Sequence, residues 1–281
     1  MTRALRIMVP LIIILASIAA LAGLWPADGE PFSWTTLRGE QLEINGRGLY
    51  YFDSVSSAAQ MQANDLITLL LGVPLLVVSY ILSWKNSLRG KILLAGTLGF
   101  ILYTYITMSM GAQFNQLFLL YVALFGLSLF SLILACIQVK PEELRQRIKD
   151  RFPRRRIVGI LLFAALFILV AWVSRILAAY KPGAVPQLEN VTSMFIQAMD
   201  LAIIVPLCLI SAMLLIKGQA WGFLLSAFSL VKFSTLGIAV ATMGLNMARV
   251  GAAPALAELI IFLLMALAGC LATVALFRSI K

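Results

Sequence analysis

The chain has 281 residues, of which 62% are hydrophobic and 12% charged, with a mean hydropathy of +0.98. Soluble domains carry about a quarter charged residues, so this composition excludes a water-soluble globular protein and points to a bilayer. The net charge of +10 does not indicate nucleic acid, because the lysines and arginines fall between apolar runs and form no basic domain. The complete lack of histidine removes the commonest general base and metal ligand. Cys136, Cys208 and Cys270 stand singly inside apolar runs, with no spacing suited to a metal or a disulfide. No cofactor, metal or catalytic residue is expected.

A helix needs about 20 apolar residues to cross the hydrocarbon core. Eight runs meet or approach that length, near 7–25, 64–84, 92–110, 116–138, 157–179, 198–216, 221–245 and 255–277. The first has Arg3 and Arg6 before it and Ala20-Leu21-Ala22 within it, as a cleaved signal peptide would, but the run continues to Trp25 and reads as a retained helix. Residues 26–63 form an acidic segment in which Glu40–Ile44, Asn45-Gly46 and Arg47–Phe52 predict a β-hairpin with a tight turn. Ser54 to Asn64 contains helix formers and no breaker, so the second helix is expected to begin before its apolar run. The loop 140–156 carries eight basic and three acidic residues. Pro141 suits a helix start there, and Leu144, Ile148 and Phe152 recur on one face, which predicts a short helix lying on anionic lipid. The basic residues collect on alternate links, which puts both termini in the cytoplasm and the 26–63 segment outside. Trp25, Trp84 and Trp221 fall at predicted span ends, where an amphipathic ring prefers the interface.

Asp65-Leu66 with Pro74, and Asp200-Leu201 with Pro206, suggest that two four-helix units follow one another in the same orientation. Each proline removes a helical donor and is expected to disturb its helix. Ionisable residues inside spans are the strongest functional pointers here, since each costs about 2.5 to 3.5 kcal/mol at mid-membrane. Five qualify: Asp65, Arg175, Asp200, Lys232 and Glu258. At 1.5 Å rise per residue, Arg175 and Asp200 lie at similar depth, roughly 10 Å from mid-helix, and are expected to pair. Asp65 and Glu258 come out near the outer interface, where hydration is easy. Lys232 falls near mid-membrane with no acid at its own depth, and its stem is long enough to reach toward Asp200. It reads either as a tie between helices or as a cation that holds an anionic group. Gly96, Gly99, Gly237, Ala241 and Gly244 are expected to permit close helix contact.

Gly48-Leu-Tyr-Tyr-Phe-Asp-Ser-Val55, Asp65 through Pro74, Ser87-Leu-Arg-Gly90, Phe114 through Ala123, Met199-Asp200-Leu201 and Trp221-Gly222 with Lys232 resemble a group of bacterial polytopic membrane proteins without an assigned activity. The resemblance spans most of the chain. It implies an inner-membrane location and retention of the first helix, and brings no substrate or cofactor.

The expected protein is therefore an all-α membrane protein with about eight spans. Residues 1–139 would form the first half, 140–156 a basic cytoplasmic linker and 157–281 the second half. Its expected role is transport or binding of a small ligand through an outward-facing polar site made by Asp65, Arg175, Asp200, Lys232 and Glu258. The alternative is a partner or sensor subunit of a membrane complex, engaging another protein through the hairpin and the basic loop. A membrane-embedded enzyme would need an acid/base pair from the same charged set, and no motif supports one.

Overall fold

The computed structural model describes residues 1–252 and 256–281, the side chains of residues 257 and 258 excepted. In chain order its elements are α1 (Arg3–Gly23), β1 (Phe32–Thr35), β2 (Gln41–Ile44), α2 (Val55–Ile67), α3 (Val73–Trp84), α4 (Leu88–Gly111), α5 (Phe118–Ile137), α6 (Pro141–Gln146), α7 (Arg154–Ala179), α8 (Phe195–Met199), α9 (Val205–Ile216), α10 (Ala220–Arg249) and α11 (Leu256–Ser279). α2 runs into α3, and α8 into α9, through one widened turn each, Thr68–Gly72 and Asp200–Ile204. Among the described residues the result is eight continuous helices long and apolar enough to cross a membrane. The protein is a multi-pass membrane protein by this criterion, with spans close to those the sequence predicts.

Local chemistry sets the helix limits. Thr2, Ser54 and Ser87 cap α1, α2 and α4 by accepting the N–H of Leu5, Ser57 and Gly90. Pro74 and Pro206 each lack the N–H that would continue the α-helical ladder. In each case the chain widens just upstream: the N–H of Val73 bonds back to the Thr68 carbonyl, and that of Val205 to the Asp200 carbonyl, five residues away. The sequence predicts a disturbance at both prolines; its form is this π-turn.

α4 and α10 pack against each other at the centre of the bundle. α3 and α5 flank α4, α9 and α11 flank α10, α1 lies on α5 and the α2–α3 rod, and α7 lies on α9. α2 also crosses onto α10, and α8 onto α4. A Cβ at Gly96 would stand 2.3 Å from Val231 Cβ, so only glycine admits this approach of α4 to α10. A Cβ at Gly237 would stand 3.0 Å from Ala266, so the α10–α11 contact is also close. Gly99 has ordinary clearance, 3.6 Å from Lys232 Cγ. The outer faces of α1, α7 and α11 expose Ile7, Ile14, Leu166, Val170, Leu264 and Leu271, as lipid-facing helices do.

Two links depart from expectation. β2 pairs antiparallel with β1, with Phe32 opposite Ile44 and Thr35 opposite Gln41, rather than with Arg47–Phe52. The tight turn is Thr36–Glu40, closed by Thr36 N–H to the Glu40 carbonyl at 2.8 Å. Asn45 fails as a hairpin corner because its side-chain amide serves the loop, donating to the carbonyls of Arg47 and Tyr50 at 2.8 and 3.0 Å. At the other end of the bundle, helix α6 stops at Gln146 and does not extend to 156. Leu144 is fully buried, Ile148 bridges to Ile280, and Phe152 packs on Phe223 at 5.2 Å, so the apolar face of this loop is spent on protein rather than lipid. The two ends are called below the hairpin end and the basic end.

Candidate functional site

Asp200 opens the π-turn between α8 and α9 and is 7% exposed. Its two carboxylate oxygens each accept one bond: Oδ1 from the Tyr103 hydroxyl of α4 at 2.9 Å, and Oδ2 from Trp172 Nε1 of α7 at 2.9 Å. Lys232, on α10, is also 7% exposed. Its ammonium stands 4.2 Å from the centroid of the same Tyr103 ring and 5.2 Å from that of Phe233. Among the described residues Lys232 Nζ has no hydrogen-bond acceptor and makes no ion pair. The expected reach of Lys232 to Asp200 is thus interrupted by a phenol. Tyr103 turns its hydroxyl to the carboxylate and its ring face to the ammonium, a favourable cation–π contact that leaves the N–H donors of Lys232 unused.

A second acid has a different setting. Asp65, on α2, is 2% exposed and accepts from the Tyr50 hydroxyl at 2.5 Å. Burial first, then the Asp65 charge, pushes the Tyr50 phenol well above its ordinary value, so it remains a donor across the physiological range. The carboxylate lies over Gly23 of α1, where a Cβ would stand 1.8 Å from Asp65 Oδ2. The expectation of an easily hydrated Asp65 is incorrect, because α1 and the 45–53 loop close over it.

The other candidates do not join either cluster. Arg175 does not pair with Asp200; its Nη2 donates to the Gln187 carbonyl at 2.5 Å in the link before α8. Trp172, one turn earlier on α7, takes the place at Asp200 that the arginine was expected to fill. The side chain of Glu258 lies outside the described residues. The four described candidates therefore resolve into one site, Asp200 with Lys232, one separate acid, Asp65, and Arg175 in a tie to a loop. Tyr103 stands in the sequence as a polar residue within the apolar run 92–110. Trp172, Tyr50 and Gly23 were not singled out, since an aromatic or a glycine in or beside an apolar run has a sufficient reading as a packing residue.

Surface grooves among the described residues include one of about 460 Å³ lined by Ile18, Leu21, Trp25, Leu49 and Leu117, and one of about 300 Å³ along Phe163–Ala171 of α7. Neither includes Asp200 or Lys232. No family model, curated protein or solved structure matches the chain.

Proposed function

We propose that this membrane protein binds, and moves across the bilayer, a small ligand with an anionic group, and that Lys232 receives that group. The observation that carries the reading is the Lys232 ammonium, buried in the bundle with three N–H donors and no acceptor among the described residues. An intramembrane cation in that state is costly, and a ligand anion would offset the cost. Asp200, held by Tyr103 and Trp172, keeps a negative charge just beyond the phenol, so a proton taken up there would strengthen the pull of Lys232 on an anion. Access to the cluster requires movement of the helices around it, and the π-turn at Asp200 is a suitable place for it.

The reading extends to two copies of a helical unit. Aligning Pro74 with Pro206 superposes the two π-turns, α3 on α9, and the starts of α4 and α10 without a gap. At this single offset Ser79 meets Ser211, Lys85 meets Lys217, and Gly90 meets Gly222. The turns at Asn86 and Gly218, both at positive φ, also coincide. Four spans in each unit give copies of one orientation, in which relative rocking would expose a central site. By the charge bias of the links the hairpin end is extracytoplasmic and the basic end cytoplasmic, which also suits contact of the basic loop with anionic lipid.

The test is thermal unfolding of detergent-purified protein against a panel of carboxylated and phosphorylated metabolites. A compound at 100 times its Kd should stabilise the wild type by about 2.7 kcal/mol and leave Lys232→Met unmoved. Equal stabilisation of both proteins would sink the assignment. A second reading, a subunit that docks a protein partner, is favoured by one observation: β1 is exposed along its length, with Trp34 at 56%, as is Leu37 in the turn after it at 102%. It predicts loss of a stoichiometric companion from mild-detergent extracts when Trp34 and Leu37 are changed to serine.

A further inference from the structure

At the hairpin end, three links meet over the helix ends and join the first half of the chain to the second. The Gln113 side chain donates to the Asn190 carbonyl at 2.9 Å, and Asn190 Nδ2 donates to the Phe52 carbonyl at 2.6 Å. The Ser54 hydroxyl bonds the Glu189 carboxylate, and Arg38 Nη2 reaches the Thr192 carbonyl at 3.4 Å. Under this seam lies Asp53, only 1% exposed. Its Oδ1 accepts the Gln113 backbone N–H at 3.0 Å, while its Oδ2 is buried with no partner. Two acids, one from each half, thus meet at this seam, Glu189 within it and half-buried, Asp53 beneath it and buried. Among the described residues neither makes an ion pair with a base.

We propose that Asp53 and Glu189 form a proton-operated latch between the two halves: a proton on Asp53, drawn from solvent, keeps the 180–194 link docked on residues 52–54, and its return to solvent releases the link. A neutral Asp53 gives the unpartnered oxygen a hydrogen and removes the repulsion from Glu189. An ionised Asp53 is a buried, uncompensated charge facing the like charge of half-buried Glu189. The groups facing Asp53 are Glu189 from the 180–194 link, Ser57 from α2, Gln113 from the 112–117 link and, farther off, Tyr121 of α5. Burial pushes the Asp53 carboxyl up to about 7, and the Glu189 charge adds to the rise against the lowering by the Gln113 N–H and the Ser57 hydroxyl. With the docked value above the ordinary value of 3.8, docking is strongest below about pH 4, weakens as pH rises toward about 7, and gains nothing from this proton above it. The docked-to-released ratio falls by up to tenfold per pH unit in that window, about three decades in all. The latch is independent of what the Lys232 cluster binds.

The experiment places spin labels at Arg47 and Ser193, both exposed, in full-length protein with Cys136, Cys208 and Cys270 changed to serine, and measures their separation in nanodiscs from pH 4.5 to 8.5. One short distance at low pH giving way to a longer, broader one is expected for the parent protein. Asp53→Asn should hold the short distance throughout, and Glu189→Gln should move the transition to a different pH, since it removes the facing charge. A parent distance that ignores pH overturns the proposal, as does Asp53→Asn retaining the parent transition. Should Asp53→Asn not fold, a transition unmoved by Glu189→Gln overturns it equally.

Discussion

Around Pro74 the chain passes from α2 through a π-turn into α3, reverses at Asn86 and enters α4; around Pro206 it passes from α8 through a π-turn into α9, reverses at Gly218 and enters α10. The backbone plan is the same, and the buried chemistry is not. Where the second segment has Asp200 the first has Thr68, fully buried with its hydroxyl unpartnered, and where the second has Lys232 the first has Phe100. Where the first has Asp65, the second has the buried amide of Gln197. The features common to both include those that backbone geometry demands: a proline, a left-handed turn, and a glycine against the preceding helix end at Gly90 and Gly222. Charge is free to differ because it is tied to particular partners, Tyr50 in one segment and Tyr103 with Trp172 in the other.

The comparison can be broken most severely at the centre. Gly96→Leu should force α4 and α10 apart at Val231 and cost about 1–3 kcal/mol or more, read as a lost or strongly lowered unfolding midpoint, whereas Gly99→Ala should be nearly silent. Next in size is the contrast between the two acids. An amide offers one acceptor oxygen, so in Asp200→Asn that oxygen can keep the Trp172 N–H while the NH₂ must donate to the Tyr103 hydroxyl oxygen, reversing that bond, and loss of two charge-assisted bonds should cost about 1–2 kcal/mol. Asp65→Asn can still accept from Tyr50 and should cost less than half as much in the same detergent unfolding assay. The reverse order would show that the two settings are misread. Smallest is the exchange of turn residues: Gly218→Asn, which places at one reversal the residue found at the other, should change stability by less than about 1 kcal/mol, while Gly218→Val should cost more.

The spans were legible because twenty apolar residues in a row have one common physical use, and the early start of α2 was legible from Ser54 and the helix formers after it. The shared backbone plan of the two segments was also present in the residues, and the prolines trace it better than the Asp-Leu pairs do. Matching Asp65 to Asp200 leaves the prolines three residues out of step, whereas matching proline to proline sets them, and the helices after them, in step. A catalytic-looking acid draws attention, yet a residue that dictates backbone shape is the better ruler. The site was half legible. Asp200 and Lys232 stood out by cost, but depth along a helix says nothing about rotation around it, so Arg175 was expected where Trp172 stands. The hairpin was misplaced because Asn-Gly suits a tight turn in isolation, and nothing local reveals that the Asn45 amide is committed to the carbonyls of Arg47 and Tyr50.

At the basic end the loop after α6 is closed by residues from far along the chain. Lys149 N–H bonds the Ser279 carbonyl, Lys149 Nζ bonds the Arg278 carbonyl at 2.8 Å, Lys281 N–H bonds the Arg147 carbonyl, and Arg89 bonds the Ile280 carbonyl. During synthesis, then, this loop leaves the ribosome 129 residues ahead of the Arg278 carbonyl that holds its lysine. Four more spans must be inserted in the interval, with the underside of the bundle unsealed. A chain clipped just before Arg278 would keep seven membrane helices and nearly all of the eighth, and still leave this positively charged loop open.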